Sequence, residues 1–163
     1  IIDKKEKVKR HDIINVNEFA QSVVDIFRMN YGVLFDKTFI LTIDSDLPAT
    51  MNIFTNRDIL TKILAELLDN ALKYTTGDTV TLRVRGGARI VRFMVEDNGP
   101  GIPEESRDSV FMQFEKLDDF GEGLGLGLSI SKQFAVLLGG DLYLDTTYTG
   151  GSRFVLEVPR DEK

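Results

Sequence analysis

The sequence has no cysteine and a single histidine among its 163 residues. The first absence excludes disulfide staples and thiolate metal sites, and it leaves the redox compartment open. Basic charge is not in excess: 20 Lys and Arg against 26 Asp and Glu give a net charge of −6, with no long basic run. A nucleic-acid binder carries a basic patch, so DNA and RNA are not expected partners. No apolar run approaches the roughly 18–20 residues that cross a bilayer, and no signal-peptide pattern opens the chain. No membrane contact is therefore expected of it.

The length corresponds to one domain, and an apolar fraction of 42% is enough for a substantial core. Residues 1–11 are charged and nearly aperiodic, as in a linker or the end of a preceding helix. A domain is expected over 12–160, with a tail at 161–163. Ile13, Ile14 and Val16 suggest a short strand. Phe19, Val23, Ile26 and Phe27 then follow helical spacing to about Met29, with Asn17 as N-cap. Strands are expected at 37–43 and near 51–54, separated by turn chemistry from Asp44 to Pro48. A long helix should run from about Asn56 to Tyr74. Thr79–Arg85 and Arg89–Glu96 read as a hairpin turning at Gly86-Gly87. After a Gly/Pro loop at 97–103 and an irregular stretch, a helix is expected at about 126–138, C-capped by Gly139-Gly140. Strands near 141–146 and 153–158 close the chain. The pattern is α+β, with helices covering one face of a mixed or antiparallel sheet.

Three segments carry chemistry. In ELLDNALKYT, residues 66–75, Glu66, Asn70, Lys73 and Tyr74 fall at i, i+4, i+7 and i+8, on one arc of a helix. Leu60, Leu64, Leu67, Leu68 and Ala71 form the neighbouring core arc, while Asp58, Lys62 and Asp69 occupy a third side expected to face solvent. The polar set therefore borders the buried stripe, where a site wall would lie. An amide oxygen such as Asn70 is a hard ligand for Mg²⁺, which keeps most of its waters and takes other ligands from phosphates. Lys73 could offset phosphate charge, Tyr74 offers a flat surface to a base or ribose, and Glu66 could hold or deprotonate a water. An ordinary amphipathic helix would also place polar residues at such a boundary.

The second segment is DNGPGIP, residues 97–103. Asp97 at a strand end can accept a hydrogen bond from an adenine amino group, and Gly99 and Gly101 allow the backbone to approach a flat ligand. The same residues are also strong turn formers by themselves. The third is GEGLGLGLSI, residues 121–130, in which Gly123, Gly125 and Gly127 expose successive N–H groups ahead of a helix, an arrangement suited to anions. No Gly-Lys-Ser/Thr follows and the G-x-G-x-x-G spacing is missing, so this is neither a Walker loop nor a dinucleotide fingerprint.

Together and in this order, these segments resemble the GHKL ATPases of the Bergerat fold, and sensor histidine kinases in particular. ELLDNALKYT is similar to the kinase N box, DNGPGIP to the G1 box, VFMQFEKL to the F box and GLGLGLSI to the G2 box, and GGSRFVLEVP to the last strand. The resemblance covers residues 12 to 159. It implies a two-layer α/β sandwich: a mixed sheet of about five strands, about three helices on one face, and a short ATP lid. It also implies that Asn70 binds Mg²⁺ and that Asp97 reads the adenine amino group. Gly99, Gly101 and Ile102 would line the base pocket, with Ser152 near the adenine. Lys73 and Lys116 would meet phosphates, and the glycine segment Gly123, Leu124, Gly125, Leu126 and Gly127 would cradle them. Phe111 and Phe114 would pack under the lid.

Three departures bear on these roles. Leu124 stands where the G2 box usually has threonine, which removes a side-chain contact to phosphate. The stretch from Asp118 to Glu122 is short. Glu66 stands where many histidine kinases carry asparagine, and where gyrase-type relatives place a water-activating glutamate.

The implied function is that of the ATP-binding catalytic domain of a bacterial two-component sensor histidine kinase, a protein-histidine kinase. It would bind Mg–ATP and donate the γ-phosphoryl group to a histidine on a dimerisation hairpin, from which a response-regulator aspartate receives it. Positioning and charge neutralisation are what such transfer demands. His11 precedes Asp12 but sits in a charged stretch with no heptad pattern, so it is expected to be a solvated linker residue rather than the phosphoacceptor. The first residue, Ile1, suggests a piece cut from a longer parent: a cytoplasmic, monomeric domain of a homodimeric phosphoprotein that could be anchored in the inner membrane. Two other readings are a GHKL ATPase using Glu66 as general base and a non-catalytic nucleotide-binding or docking module.

Overall fold

Alternation of apolar and polar side chains builds the central sheet. Along Thr79–Gly86 (β4), Val80, Leu82 and Val84 are buried while the residues between them are partly exposed, as period-2 strand geometry requires. The same rhythm runs through Ile90–Asp97 (β5). The structure, a computed structural model, describes residues 9–34, 40–74, 79–107, 110–111 and 127–161, with only the helical backbone at 31–34 and 73–74.

The remaining described elements are β1 (Asp12–Asn15), α1 (Val16–Leu34), β2 (Ile40–Ser45), β3 (Asn52–Thr55), α2 (Arg57–Tyr74), α3 (Leu128–Leu137), β6 (Asp141–Leu144) and β7 (Ser152–Pro159), with a single 3₁₀ turn at Glu104–Ser106. Five strands form a mixed sheet in the order β2-β4-β5-β7-β6, parallel only between β2 and β4. A small antiparallel pair, β1 and β3, stands apart from it. This is the α+β architecture with three helices that the sequence predicts. The buried face of the sheet meets the helices in one apolar core, where Phe19 of α1 packs edge-on against Phe93 of β5 at 6.0 Å between ring centroids.

The helix ends show where the reading of boundaries departs from the fold. α1 begins one turn's fraction early: Asn15, not Asn17, caps it, its Oδ1 accepting the Glu18 N–H at 2.9 Å. Asn17 instead donates to the Leu47 carbonyl and accepts from the Ser45 hydroxyl. Ile26, which shares the helical spacing of Phe19, Val23 and Phe27, is half exposed, because the apolar stripe of α1 is wider than its contact. α2 is capped by Asn56, whose Oδ1 accepts the Ile59 N–H at 3.0 Å. Its third side is not solvated throughout: Asp69 is 2% exposed, because α2 is packed by α1, α3 and the sheet at once. Asp44 and Ser45 continue β2, and the turn follows at Pro48–Met51. The β4–β5 hairpin turns through residues 87–89, and neither Gly86 nor Gly87 needs a positive φ. α3 ends as expected, with Gly139 at φ +97 and the Gly139 and Gly140 N–H groups returning to Val136 and Ala135.

Candidate functional site

Asp97 is the last residue of β5 and lies opposite Ser152, the first residue of β7, in the sheet register. Its Oδ1 accepts the Gly99 N–H at 2.9 Å and the Ser152 N–H at 3.4 Å. One carboxylate oxygen is thus engaged by two backbone donors, which orients the other as an acceptor. Gly99 contributes through this bond; the turn that follows is what reaches the cavity. Gly101 adopts φ +81, and a Cβ there would lie 3.0 Å from the Gly151 carbonyl oxygen. Gly151, at φ +145, is tighter still: a Cβ would meet the Asp97 carbonyl oxygen at 2.0 Å. The two loops that flank Asp97 therefore touch backbone to backbone.

Beside this junction is a cavity of ≈ 190 Å³. Five expected residues, Asn70, Asp97, Gly101, Ile102 and Ser152, line it. Val110, Leu128 and Phe154 supply further apolar wall. These three escaped the residue-by-residue reading although each lies inside a quoted motif. Period-2 alternation from Ser152 would have placed Phe154 on the same face. Phe111 packs behind that wall, its ring 5.9 Å from Phe154 in an edge-on arrangement, with Lys132 Nζ 5.1 Å from its centroid. An apolar slot with one oriented carboxylate suits a flat heterocycle bearing an amino group.

Asn70 is 6% exposed, and its Nδ2 has no hydrogen-bond partner among the described residues. A buried N–H donor is costly in that state, and the residue also forms part of the cavity wall. Its chemistry fits Mg²⁺ through the amide oxygen. Among the described residues no group of three or more His, Asp and Glu is arranged to hold a metal by itself, which is compatible with an ion held mainly by phosphate and water.

Glu66, one turn before Asn70 on α2, is also 6% exposed. Its Oε1 accepts the Gly127 N–H at 3.1 Å. The expectation that Gly127 offers this N–H to phosphate is thereby altered, because a carboxylate already holds it. Lys73 and Tyr74 fall in the last turn of α2, with their side chains outside the described residues. Lys116, Gly123, Leu124, Gly125, Leu126 and Phe114 also lie outside the described residues. His11 is exposed, with Nδ1 2.9 Å from Asp12 Oδ1.

Residues 55–162 match the family described as histidine kinase-, DNA gyrase B- and HSP90-like ATPases. The chain belongs to this family. It is 39% identical over 101 residues to sensor histidine kinase GtrS of Pseudomonas aeruginosa, covering 62% of this chain and 21% of that protein. It is 30% identical over 163 residues to the aerobic respiration control sensor protein ArcB of Escherichia coli, covering 96% of this chain and again 21% of the relative. The chain thus spans about a fifth of the length of these two proteins. In fold it is similar to the catalytic domain of histidine kinase ThkA, with a TM-score of 0.74 at 24% identity, covering 92% of this chain and 95% of that one. No helix among the described residues is long and apolar enough to cross a membrane.

Proposed function

We propose that residues 12–160 bind Mg–ATP in the Asp97 cavity and present its γ-phosphoryl group to a histidine on a helical hairpin elsewhere in the parent protein. The observation that carries this reading is the convergence of an oriented carboxylate, Asp97, and the amide-bearing Asn70 on one cavity. Asp97 would accept from the adenine amino group, with Gly101, Ile102 and Ser152 against the base. Asn70 would hold Mg²⁺, which supplies charge neutralisation at the phosphates. Lys73, Tyr74, Lys116 and residues 123–126 of the glycine segment are assigned to the phosphates and ribose on motif resemblance.

In the reaction, a histidine nitrogen forms a bond to the γ-phosphorus as the bond to the bridging β–γ oxygen breaks. ADP leaves and the imidazole gives up its proton. The histidine is its own nucleophile, so this domain contributes binding and alignment rather than a base. A response-regulator receiver domain is the proposed onward acceptor. ThkA has been crystallised in complex with response regulator protein TrrA, which supports that partner class. A cytoplasmic domain of a homodimeric, inner-membrane-anchored parent fits the sensor kinases it resembles.

The ATPase reading assigns Glu66 the role of general base. Its bond to Gly127 speaks for a different use of that carboxylate. Calorimetric titration of Mg–ADP and Mg–ATP tests the main reading. Saturable 1:1 binding is expected, lost in Asp97→Asn and made insensitive to Mg²⁺ in Asn70→Ala. Absence of binding at millimolar nucleotide would favour a docking module.

A further inference from the structure

Gly127 immediately precedes α3 and has φ 80, ψ 157. That region of backbone space is essentially restricted to glycine, so the position cannot carry a Ser, Thr or Asp cap. α3 accordingly starts without a capping side chain of its own. In a capping box, a glutamate three residues into the helix accepts the N–H of the cap residue. Here the acceptor comes from another helix: Glu66 Oε1, 61 residues away in sequence, takes the Gly127 N–H in a buried contact. Its negative charge also complements the positive end of the α3 dipole.

The consequence reaches the cavity from both sides. Asn70 lies one helical turn beyond Glu66, and Leu128 is the residue after Gly127; both line the cavity. We infer that Glu66 is a positioning residue, which fastens the first turn of α3 to the turn of α2 that carries Asn70 and so sets the width of the nucleotide site. This rests on the nucleotide reading of that cavity. The role needs an acceptor at this reach, not a base. Asparagine is shorter by one carbon–carbon bond, about 1.5 Å, enough to break a 3.1 Å contact. Glutamine keeps both the length and an acceptor oxygen.

The two roles for Glu66 separate in the variants Glu66→Gln, Glu66→Asn and Glu66→Ala. Hydrogen exchange of the Gly127 amide is measured by NMR in the ligand-free chain, and Mg–ADP affinity by calorimetry. Glu66→Gln should keep Gly127 protected and retain Mg–ADP affinity to within about threefold, since the acceptor remains. Glu66→Asn and Glu66→Ala should each expose Gly127 and weaken Mg–ADP by about tenfold, the scale of one charge-assisted hydrogen bond. Unchanged Gly127 protection in Glu66→Ala would overturn the proposal, as would equal loss of affinity in Glu66→Gln and Glu66→Ala. If the unsubstituted chain binds no Mg–ADP while Gly127 protection follows the expected order, the nucleotide reading fails and the bond is a fold contact only.

Discussion

Arg153 on β7 and Glu96 on β5 are cross-strand partners, with Nε 2.7 Å from Oε2. Arg83 on β4 grips the same carboxylate from the other side, at 2.8 and 3.1 Å. The three side chains lie on the sheet face opposite the apolar core and away from the cavity. Glu96 is nonetheless buried. Burial raises its pKa, but hydrogen bonds and charge from Arg83 and Arg153 together outweigh this and hold the carboxyl below its ordinary value.

The sign of the resulting pH dependence follows. A carboxyl with a depressed folded-state pKa stabilises the fold above its unfolded value and loses that contribution as pH falls through the folded value. Glu96→Gln should therefore cost roughly 1.5–3 kcal/mol at neutral pH, and the difference from the unsubstituted chain should shrink in acid. Urea unfolding at pH 7 and below pH 4 measures this. An equal loss at both values would place the cost in packing rather than charge.

At the site itself, Gly151 is a point of backbone contact with no tolerance for a side chain. Gly151→Ala forces a Cβ against the Asp97 carbonyl oxygen, at a φ that L-residues rarely adopt. The substitution should destabilise the domain by about 1–3 kcal/mol. It should also weaken nucleotide binding, because the displaced strand takes the Ser152 N–H away from Asp97. Paired thermal unfolding and calorimetry check both effects. Retained affinity in a folded Gly151→Ala variant would show that the Gly99 N–H alone orients the carboxylate.

Much of this arrangement was legible in the residues. β-rich composition locates β4, β5 and β7, and the glycines after α3 announce their C-cap by chemistry. Asn70 and Asp97 were identified by motif before any geometry placed them in one cavity. Other features depend on contacts between distant segments, which local patterns do not encode. Asp69 reads as solvated on a helical wheel, but a third packed side covers it. Asn15 rather than Asn17 caps α1 because Leu47 and Ser45 engage the Asn17 side chain. The Glu66–Gly127 bond links residues 61 positions apart, so neither motif alone reveals it.

Asn70 shows a conflict between stability and binding that can be measured directly. Its Nδ2 is buried without a partner among the described residues, a condition that costs about 1–3 kcal/mol in the ligand-free fold. Replacing the amide by an apolar group removes that penalty and adds contacts with the cavity's Leu128 and Phe154 wall. Asn70→Leu should therefore unfold at a higher temperature than the unsubstituted chain, by an amount corresponding to about 1 kcal/mol, while Mg²⁺-dependent nucleotide binding disappears. Stability retained at the expense of binding is the usual mark of a functional polar group. A variant less stable than the parent would instead mean that the rest of the Asn70 amide holds the fold together, and its place in the wall would be structural.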